Sequence, residues 1–261
     1  MPRFAANLSM LFTELPFLDR FEAAARAGFE AVEFLFPYDF PAQDIADRLA
    51  EYNLTQALFN MPPGDWSGGE RGIAALPGRE AEFEAAVETA LAYAEVLDCP
   101  RLHTMAGITG GNPSAACGET YLRNIRYAAD RAAEAGCLIL VEPLNPYDVP
   151  GYHIASVRQG LEFLDTVERD NVRLQLDLYH AQITDGDVTR LIRRTVDRVG
   201  HVQIASVPER HEPDTGELNY PYVLAALDDA GYTGWVGCEY NPAAGTEAGL
   251  GWLDAYRTSS R

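Results

Sequence analysis

Short apolar segments rich in β-branched residues alternate with helical segments along the chain, and this alternation constrains the fold more than any other feature. The first strand is predicted near Phe4–Ser9, and the helix after it ends at Gly28, because glycine readily adopts the left-handed backbone of helix ends. Each of eight predicted strands is followed by a predicted helix, the last being AGLGWLDAYR. The other strand segments have the length and composition of buried strands: AVEFLF, TQALFN, RLHTMAG, LILVEP, VRLQLDLY, HVQIAS and WVGCEY.

This order predicts an α/β fold with a single parallel sheet. Parallel strands separated by helices are joined by right-handed crossovers. Eight such units in 261 residues favour a closed (β/α)8 TIM barrel, which typically has roughly 250 residues, as a single domain over residues 1–261. No Gly-x-Gly-x-x-Gly follows the first strand, so the doubly wound dinucleotide-binding alternative lacks its phosphate-binding loop.

The chain is strongly acidic, with 20 Lys and Arg against 39 Asp and Glu and a net charge of −19. Such a charge repels phosphate backbones and anionic lipids, so neither nucleic acid nor a membrane is expected as a partner. The four cysteines show no Cys-x-x-Cys spacing. The first residues contain no long apolar segment and no later run reaches about 18 apolar residues, so neither a secretion signal nor a membrane span is expected. A cytoplasmic location is therefore expected.

Four predicted strands end in an oxygen-bearing side chain: Glu142 in LILVEP, Asp177 in VRLQLDLY, Gln203 in HVQIAS and Glu239 in WVGCEY. In a barrel these are consecutive strands five to eight, whose ends form one wall of the active-site mouth. Three carboxylates and an amide oxygen suit Mg²⁺ or Mn²⁺ better than Zn²⁺, which prefers His and Cys. The alternative is that these residues only cap helices or face solvent. The recurrence in four neighbouring strands favours a divalent-cation site.

Further polar residues follow the same strands. His180 lies just beyond Asp177 and His103 ends strand four, so both are predicted at the mouth as substrate-binding residues. The alternative for His180 is a surface histidine near the start of a helix. Arg210, in the loop after strand seven, can hold a substrate carboxylate through paired N–H donors; a salt bridge to Glu209 or Glu212 is the alternative. His201 precedes its strand and is predicted at the opposite rim, whereas His153 and His211 are placed only in loops.

The segment PPGDWSGGERG after strand three contains four glycines around Trp66. A loop of this length in a compact domain is typical of a functional element. It is interpreted as a mobile lid that excludes water, with plain flexible linkage as the alternative.

The predicted residues favour proton movement next to a carbonyl. A hard cation can polarise the carbonyl and stabilise the enediolate oxygens, while paired carboxylates remove and return the proton. Glu142 and Glu239, on strands five and eight, flank the cation from two sides and are the predicted acid/base pair.

The chain resembles the hydroxypyruvate isomerase family, within the xylose-isomerase-like sugar isomerases and epimerases. The resemblance runs nearly end to end, through NLSMLF (from Asn7), ELPF, GFEAVEFLFP, LVEPLN, QLDLYH, HVQIA and CEYNP. It implies a (β/α)8 barrel that interconverts hydroxypyruvate and tartronate semialdehyde (2-hydroxy-3-oxopropanoate), an aldose–ketose isomerisation. It also implies that Glu142 and Glu239 are catalytic, that Glu142, Asp177, Gln203 and Glu239 gather a divalent cation, and that Asn7 belongs to the site.

Other functions stay open at this point. The same motifs are similar to those of 2-oxo-tetronate isomerases, and a related ketose epimerase of a C4 to C6 substrate is a further alternative. A metal-dependent endonuclease of the same fold calls for many histidines and a basic groove, but the chain has five histidines and a net charge of −19. A non-catalytic metabolite-binding barrel is the last alternative. A homo-oligomer is also expected, with Asn219–Leu227 as the candidate contact.

Overall fold

The computed structural model describes residues 2–110 and 113–256. The domain predicted over residues 1–261 therefore includes positions 1, 111–112 and 257–261 that lie outside the described residues, among them the last residue of the AGLGWLDAYR segment.

Eight parallel strands close into a barrel, in which each strand pairs with the next and β8 pairs with β1. The predicted α/β fold and TIM barrel are confirmed. The strands are short and mostly buried, as expected for a sheet that helices cover on its outer side. Their bounds are β1 Arg3–Asn7, β2 Ala31–Phe34, β3 Thr55–Asn60, β4 Arg101–His103, β5 Leu138–Val141, β6 Val172–Asp177, β7 Val199–Ile204 and β8 Trp235–Cys238.

Helices follow the strands and pack their apolar faces on the outside of the barrel. Among the described residues no helix has the length and apolar character needed to cross a membrane. The helices are α1 Arg20–Arg26, α2 Ala42–Glu51, α3 Glu80–Leu97, α4 Ala115–Glu134, α5 Val157–Val167, α6 Leu178–Thr184, α7 Val188–Thr195, α8 Tyr220–Asp229 and α9 Thr246–Gly249, with 3-10 turns at Phe17–Asp19, Val196–Arg198 and Leu250–Tyr256.

The interior of the barrel changes from small apolar residues to polar ones along its axis. Ala5, Ala31 and Ala57 form a small separate cluster. Further along β2, the carboxylate of Glu33 is completely buried. A Cβ at position 237 would lie 2.3 Å from Glu33 Oε2, so β8 needs a glycine there. The glycine lets a charged group occupy the barrel axis.

One sequence expectation fails at this level. His201, predicted at the opposite rim, lies inside β7, is completely buried, and hydrogen-bonds Glu33 at 2.5 Å. The strand begins at Val199, two residues before the histidine, so the histidine belongs to the strand rather than to the loop before it.

The candidate contact Asn219–Leu227 stays a prediction. Its large apolar side chains are buried except for that of Tyr222, which is exposed.

Candidate active site

The strand ends bring the predicted catalytic residues to one cavity of about 540 Å³. Glu142 and Glu239 each follow the last residue of their strand, and both line the cavity together with His103, His180 and Arg210. The cavity opens at the carboxyl ends of the strands, the face that carries active sites in TIM barrels. Two wider grooves of about 670 Å³ lie elsewhere, lined largely by the outer helices and the opposite strand ends.

Asn7, Asp177 and Gln203 are at most 2% exposed and do not line the cavity. Asn7 and Asp177 are the last residues of β1 and β6, and β7 places Gln203 opposite Asp177 in the ladder. Asn7 Nδ2 lies 3.3 Å from Glu239 Oε1, and this hydrogen bond connects the buried Asn7 to a residue that lines the cavity.

Three carboxylates of the site are buried, and burial raises the pKa of each. Burial raises the pKa of Glu142 well above its usual range, and the neighbouring charges of Glu239 and Asp177 add to the effect. Burial likewise raises the pKa of Glu239 to about 8 and that of Asp177 to about 6, although Arg210 opposes the rise in both. Clustered acids in a cavity with perturbed pKa values are typical of a functional site.

One oxygen of the cluster lacks a partner. Glu142 Oε1 is buried and has no hydrogen bond within the described residues, which is costly for an ionised carboxylate unless a cation or a proton joins it. Ligand atoms of Glu142, Asp177 and His180 lie within 4.8 Å of one another. The unpaired oxygen and the oxygen-rich donor set fit a hard divalent cation such as Mg²⁺ or Mn²⁺.

The hydrogen bonds of His180 argue against its acting as a metal ligand. Its Nδ1 accepts a hydrogen bond at 3.2 Å from the backbone N–H of Asn145, and an amide nitrogen can only donate. Burial lowers the pKa of His180 well below its usual range, so the ring is neutral. Its proton is therefore on Nε2, which lies 3.6 Å from Asp177 Oδ2. His180 thus presents a donor, as its predicted role in substrate binding requires.

Arg210 pairs with the site itself rather than with its sequence neighbours. Its Nη2 lies 2.6 Å from Glu239 Oε2 and 3.3 Å from Asp177 Oδ2. The salt bridges of the described residues include none from Arg210 to Glu209 or Glu212, the alternative partners that the sequence suggested. His103, in contrast, is held neutral because burial lowers its pKa to about 3, and its Nε2 lies 3.5 Å from Glu142 Oε2.

Gln203 takes part in a buried network around Glu33. Its Nε2 donates to Glu33 Oε1 at 2.8 Å, and its Oε1 accepts from Gln175 Nε2 at 2.7 Å. Glu33 Oε1 also accepts from Asn7 Nδ2 at 3.0 Å, and Oε2 contacts His201. The side chain of Gln203 is thus held from both ends, and its role as a cation ligand stays a prediction.

Sequence reasoning missed Glu33 and Asn145. The signal for Glu33 was present, since AVEFLF has one acid in an otherwise apolar buried strand, and such a residue needs a buried partner. Asn145 follows the LVEP segment and Nδ2 lies 2.7 Å from His180 Nδ1. No local pattern marks it, because its contact with α6 spans 35 positions.

The predicted lid segment is attached to the neighbouring loop. Gly72 forms an isolated bridge with Ala106, and a Cβ at Gly72 would lie 2.2 Å from the carbonyl oxygen of Met105. Trp66 lines the cavity, with the Arg71 guanidinium 3.9 Å from its ring centroid. The segment forms a wall of the cavity, and its mobility stays a prediction.

The raised pKa of Glu239 predicts how the stability of the metal-free protein depends on pH. The folded protein keeps the Glu239 proton up to about pH 8, whereas the unfolded chain loses it near 4.5. The free energy of unfolding should therefore fall as pH rises from 4.5 to 8, by about 1.4 kcal/mol per pH unit for one proton. Urea unfolding at pH 5.5, 6.5 and 7.5 in chelator measures this slope. The slope of the free energy of unfolding against pH should be smaller for Glu239→Gln than for wild type. Equal slopes for the two proteins would contradict the prediction.

The comparisons with known proteins agree with the fold described above. The model of the xylose isomerase-like TIM barrel family matches residues 21–256. The chain belongs to this family. As a xylose isomerase-like barrel, it is 54% identical over 257 residues to the 2-oxo-tetronate isomerase of Cupriavidus necator, covering 98% of this chain and 99% of the relative. It is 46% identical over 258 residues to the hydroxypyruvate isomerase of Escherichia coli, covering 98% and 100%.

Among solved structures, this xylose isomerase-like barrel matches one from Brucella melitensis named AP endonuclease, family 2. The two chains are 60% identical, the TM-score is 0.97, and the match covers 99% of this chain and 100% of the other.

Proposed function

We propose that this chain is an isomerase of a short 2-oxo acid, which moves the carbonyl group to the neighbouring carbon by proton transfer through an enediolate. The substrate pair is hydroxypyruvate and tartronate semialdehyde. One observation carries the proposal: two buried glutamates, Glu142 and Glu239, line the same cavity from β5 and β8 and differ in their hydrogen bonding. The relatives named hydroxypyruvate isomerase and 2-oxo-tetronate isomerase support this reaction class.

The surroundings of the two glutamates support a division of roles. Burial raises the pKa of Glu239 to about 8 in the metal-free protein, but the hydrogen bonds from Arg210 Nη2 and Asn7 Nδ2 favour its ionised form. A bound cation would favour that form further, so Glu239 suits removal of the substrate proton. Glu142 Oε1 has no hydrogen-bond partner among the described residues, so Glu142 suits the return of a proton. Two acids whose surroundings separate their proton affinities are the usual arrangement for acid/base catalysis.

The remaining polar groups would hold and orient the substrate. His180 Nε2–H is the donor for a substrate oxygen, and Arg210 has the paired N–H groups that bind a carboxylate. A divalent cation, Mg²⁺ or Mn²⁺, held by Glu142, Asp177, Glu239 and the predicted ligand Gln203, would stabilise charge on the enediolate oxygens.

A four-carbon 2-oxo-tetronate is the second candidate substrate. Three relatives at 54%, 50% and 49% identity are named for it, and the hydroxypyruvate isomerase at 46% is only slightly more distant. The two substrates share the 2-oxo acid and the neighbouring hydroxyl group, so the acid/base pair serves both.

The name of the Brucella structure raises endonuclease activity as a competing function. Cleavage of a duplex requires a basic binding groove, but the net charge is −19 and the cavity contains a cluster of acids. The electrostatics therefore favour a small substrate over nucleic acid.

The test is a panel of hydroxypyruvate, 2-oxo-tetronate and five- and six-carbon 2-oxo sugar acids, assayed with and without chelator in D₂O. Turnover of the three- or four-carbon acid is expected, with solvent deuterium at the product carbon, because a proton held by glutamate exchanges with water. Activity should fall in chelator and recover with Mg²⁺ or Mn²⁺. Absence of turnover, or transfer without deuterium incorporation, would contradict the proposal.

The proposal includes a cytoplasmic enzyme that forms a homo-oligomer. The four cysteines are free thiols, which is consistent with a reducing compartment. Tyr222 on α8 is 60% exposed and is the remaining apolar contact candidate of its helix. Light scattering of the purified protein measures the oligomeric state.

A further inference from the structure

Arg210 occupies the position of a cation among the predicted metal ligands. A single nitrogen, Nη2, contacts Glu239 Oε2 at 2.6 Å and Asp177 Oδ2 at 3.3 Å. The two oxygens share this nitrogen, and both residues belong to the predicted ligand set. Since a carboxylate oxygen that accepts a strong charged hydrogen bond has less electron density for a metal, the arginine and a divalent cation compete for the same atoms.

The backbone of Arg210 is fixed while its side chain is only partly constrained. Its N–H donates to Ser206 O at 2.9 Å and its carbonyl accepts from Asn241 N at 2.8 Å. The backbone has φ of 55°, an uncommon left-handed conformation for arginine. The guanidinium lies 4.8 Å from the ring centroid of Tyr179, and its buried Nε has no hydrogen-bond partner in the described part of the chain. The guanidinium is therefore not saturated by its present contacts.

A second carboxylate marks an alternative place for the guanidinium. Asp148 Oδ2 lies 3.6 Å from Arg210 Nη1, is less buried than the other acids, and lines the same cavity. A guanidinium that left Glu239 could keep this contact and the face of Tyr179 while its remaining N–H groups turned toward a ligand. The five donors of arginine allow such sharing between partners.

We infer that Arg210 is a built-in counter-ion that competes with the divalent cation for Asp177 and Glu239, and that metal binding releases it to hold the substrate carboxylate. The release to substrate rests on the proposed function, whereas the competition for the two acids does not. By thermodynamic reciprocity, a carboxylate ligand that draws Arg210 away must also raise the affinity for metal.

The test is a titration of metal-free protein with Mn²⁺, followed by electron paramagnetic resonance, for wild type, Arg210→Gln and Arg210→Ala. Both variants are expected to bind Mn²⁺ at least about tenfold more tightly than wild type, because two ligands lose a competing cation. Methylguanidinium added to Arg210→Ala should weaken Mn²⁺ binding again by occupying the vacated space. Circular dichroism melts establish that each variant is folded, and Arg210→Lys, which keeps the charge, should bind Mn²⁺ less tightly than Arg210→Gln.

The matched control is Arg71→Gln. Arg71 lines the same cavity, but its hydrogen bonds go to the carbonyl oxygens of Glu70 and Trp66 rather than to a site carboxylate. Its Mn²⁺ affinity should stay within about twofold of wild type. Equal tightening in Arg71→Gln and Arg210→Gln would reduce the effect to general charge and overturn the inference, as would unchanged affinity in both Arg210 variants.

Failure of the metal competition and failure of the proposed substrate give different experimental results. If no protein in the series binds Mn²⁺, the metal part of the proposed function fails together with the competition. If Mn²⁺ binds and Arg210→Gln binds it more tightly, but the 2-oxo acid panel shows no turnover, the competition stands and the proposed substrate fails.

Discussion

Replacing Glu239 or Glu142 with glutamine is expected to lower kcat for the preferred 2-oxo acid about 10²–10⁴-fold, the usual contribution of a general acid or base. Glutamine keeps the size of the side chain but cannot accept and return a proton. Glu142 is 5% exposed and Glu239 is 7% exposed, so water has little access to take over the role of either carboxylate. Initial rates at saturating substrate and metal measure the effect.

Glu209→Gln is the matched control for these substitutions. Glu209 lines the same cavity but is exposed, and its rate should stay within about threefold of wild type because it is not needed to carry the proton. Solvent deuterium incorporation distinguishes the two roles further. Loss of the base should stop exchange of the substrate proton with solvent deuterium. Loss of the acid should leave some of this exchange into the substrate. Near-normal rates in both variants would refute the acid/base pair.

The largest stability loss is expected for Glu33→Ala. This change leaves His201 Nε2, Asn7 Nδ2 and Gln203 Nε2 without their acceptor inside the barrel. A buried polar group left without its hydrogen-bond partner costs about 1–3 kcal/mol, so the loss of an acceptor shared by three partners should cost at least about 3 kcal/mol. At about 2–4 °C per kcal/mol for a chain of this size, the melting temperature should fall by at least about 6–12 °C.

Glu30→Ala is the control, because Glu30 is exposed three positions before Glu33. A surface change of this kind should stay within about 0.5 kcal/mol of wild type. Urea unfolding of both variants gives the comparison. If Glu33→Ala unfolds at the same urea concentration as wild type, the polar network around the barrel axis contributes little to stability.

Much of the fold followed from local sequence patterns, because each strand and helix shows its own period. The ends of β5, β6 and β8 could be aligned in advance, since consecutive strands of a parallel barrel finish at one face. What could not be predicted was which atoms face each other. The pairing of Arg210 with Glu239 joins residues 29 positions apart, and the direction of a loop arginine depends on backbone turns that no periodicity encodes.

Errors and omissions arose where the barrel interior departs from an apolar core. His201 and Glu33 form a hydrogen bond across 168 positions, so the segment around either residue does not reveal its partner. Their burial depends on small residues beside them. Gly237 is one of these, and the need for a glycine there is evident only from the packing of β8 near β2 and β7. Patterns within one segment cannot report such cross-barrel packing.

The bridge between Gly72 and Ala106 joins the loop after β3 to the loop after β4. Gly72 has a φ of 98°, and a Cβ there would lie 2.2 Å from the carbonyl oxygen of Met105. A substitution at position 72 would therefore displace both loops together. Because Trp66 and Arg71 of the first loop and Met105 of the second line the same cavity, the shape of that cavity depends on a glycine that does not itself line it.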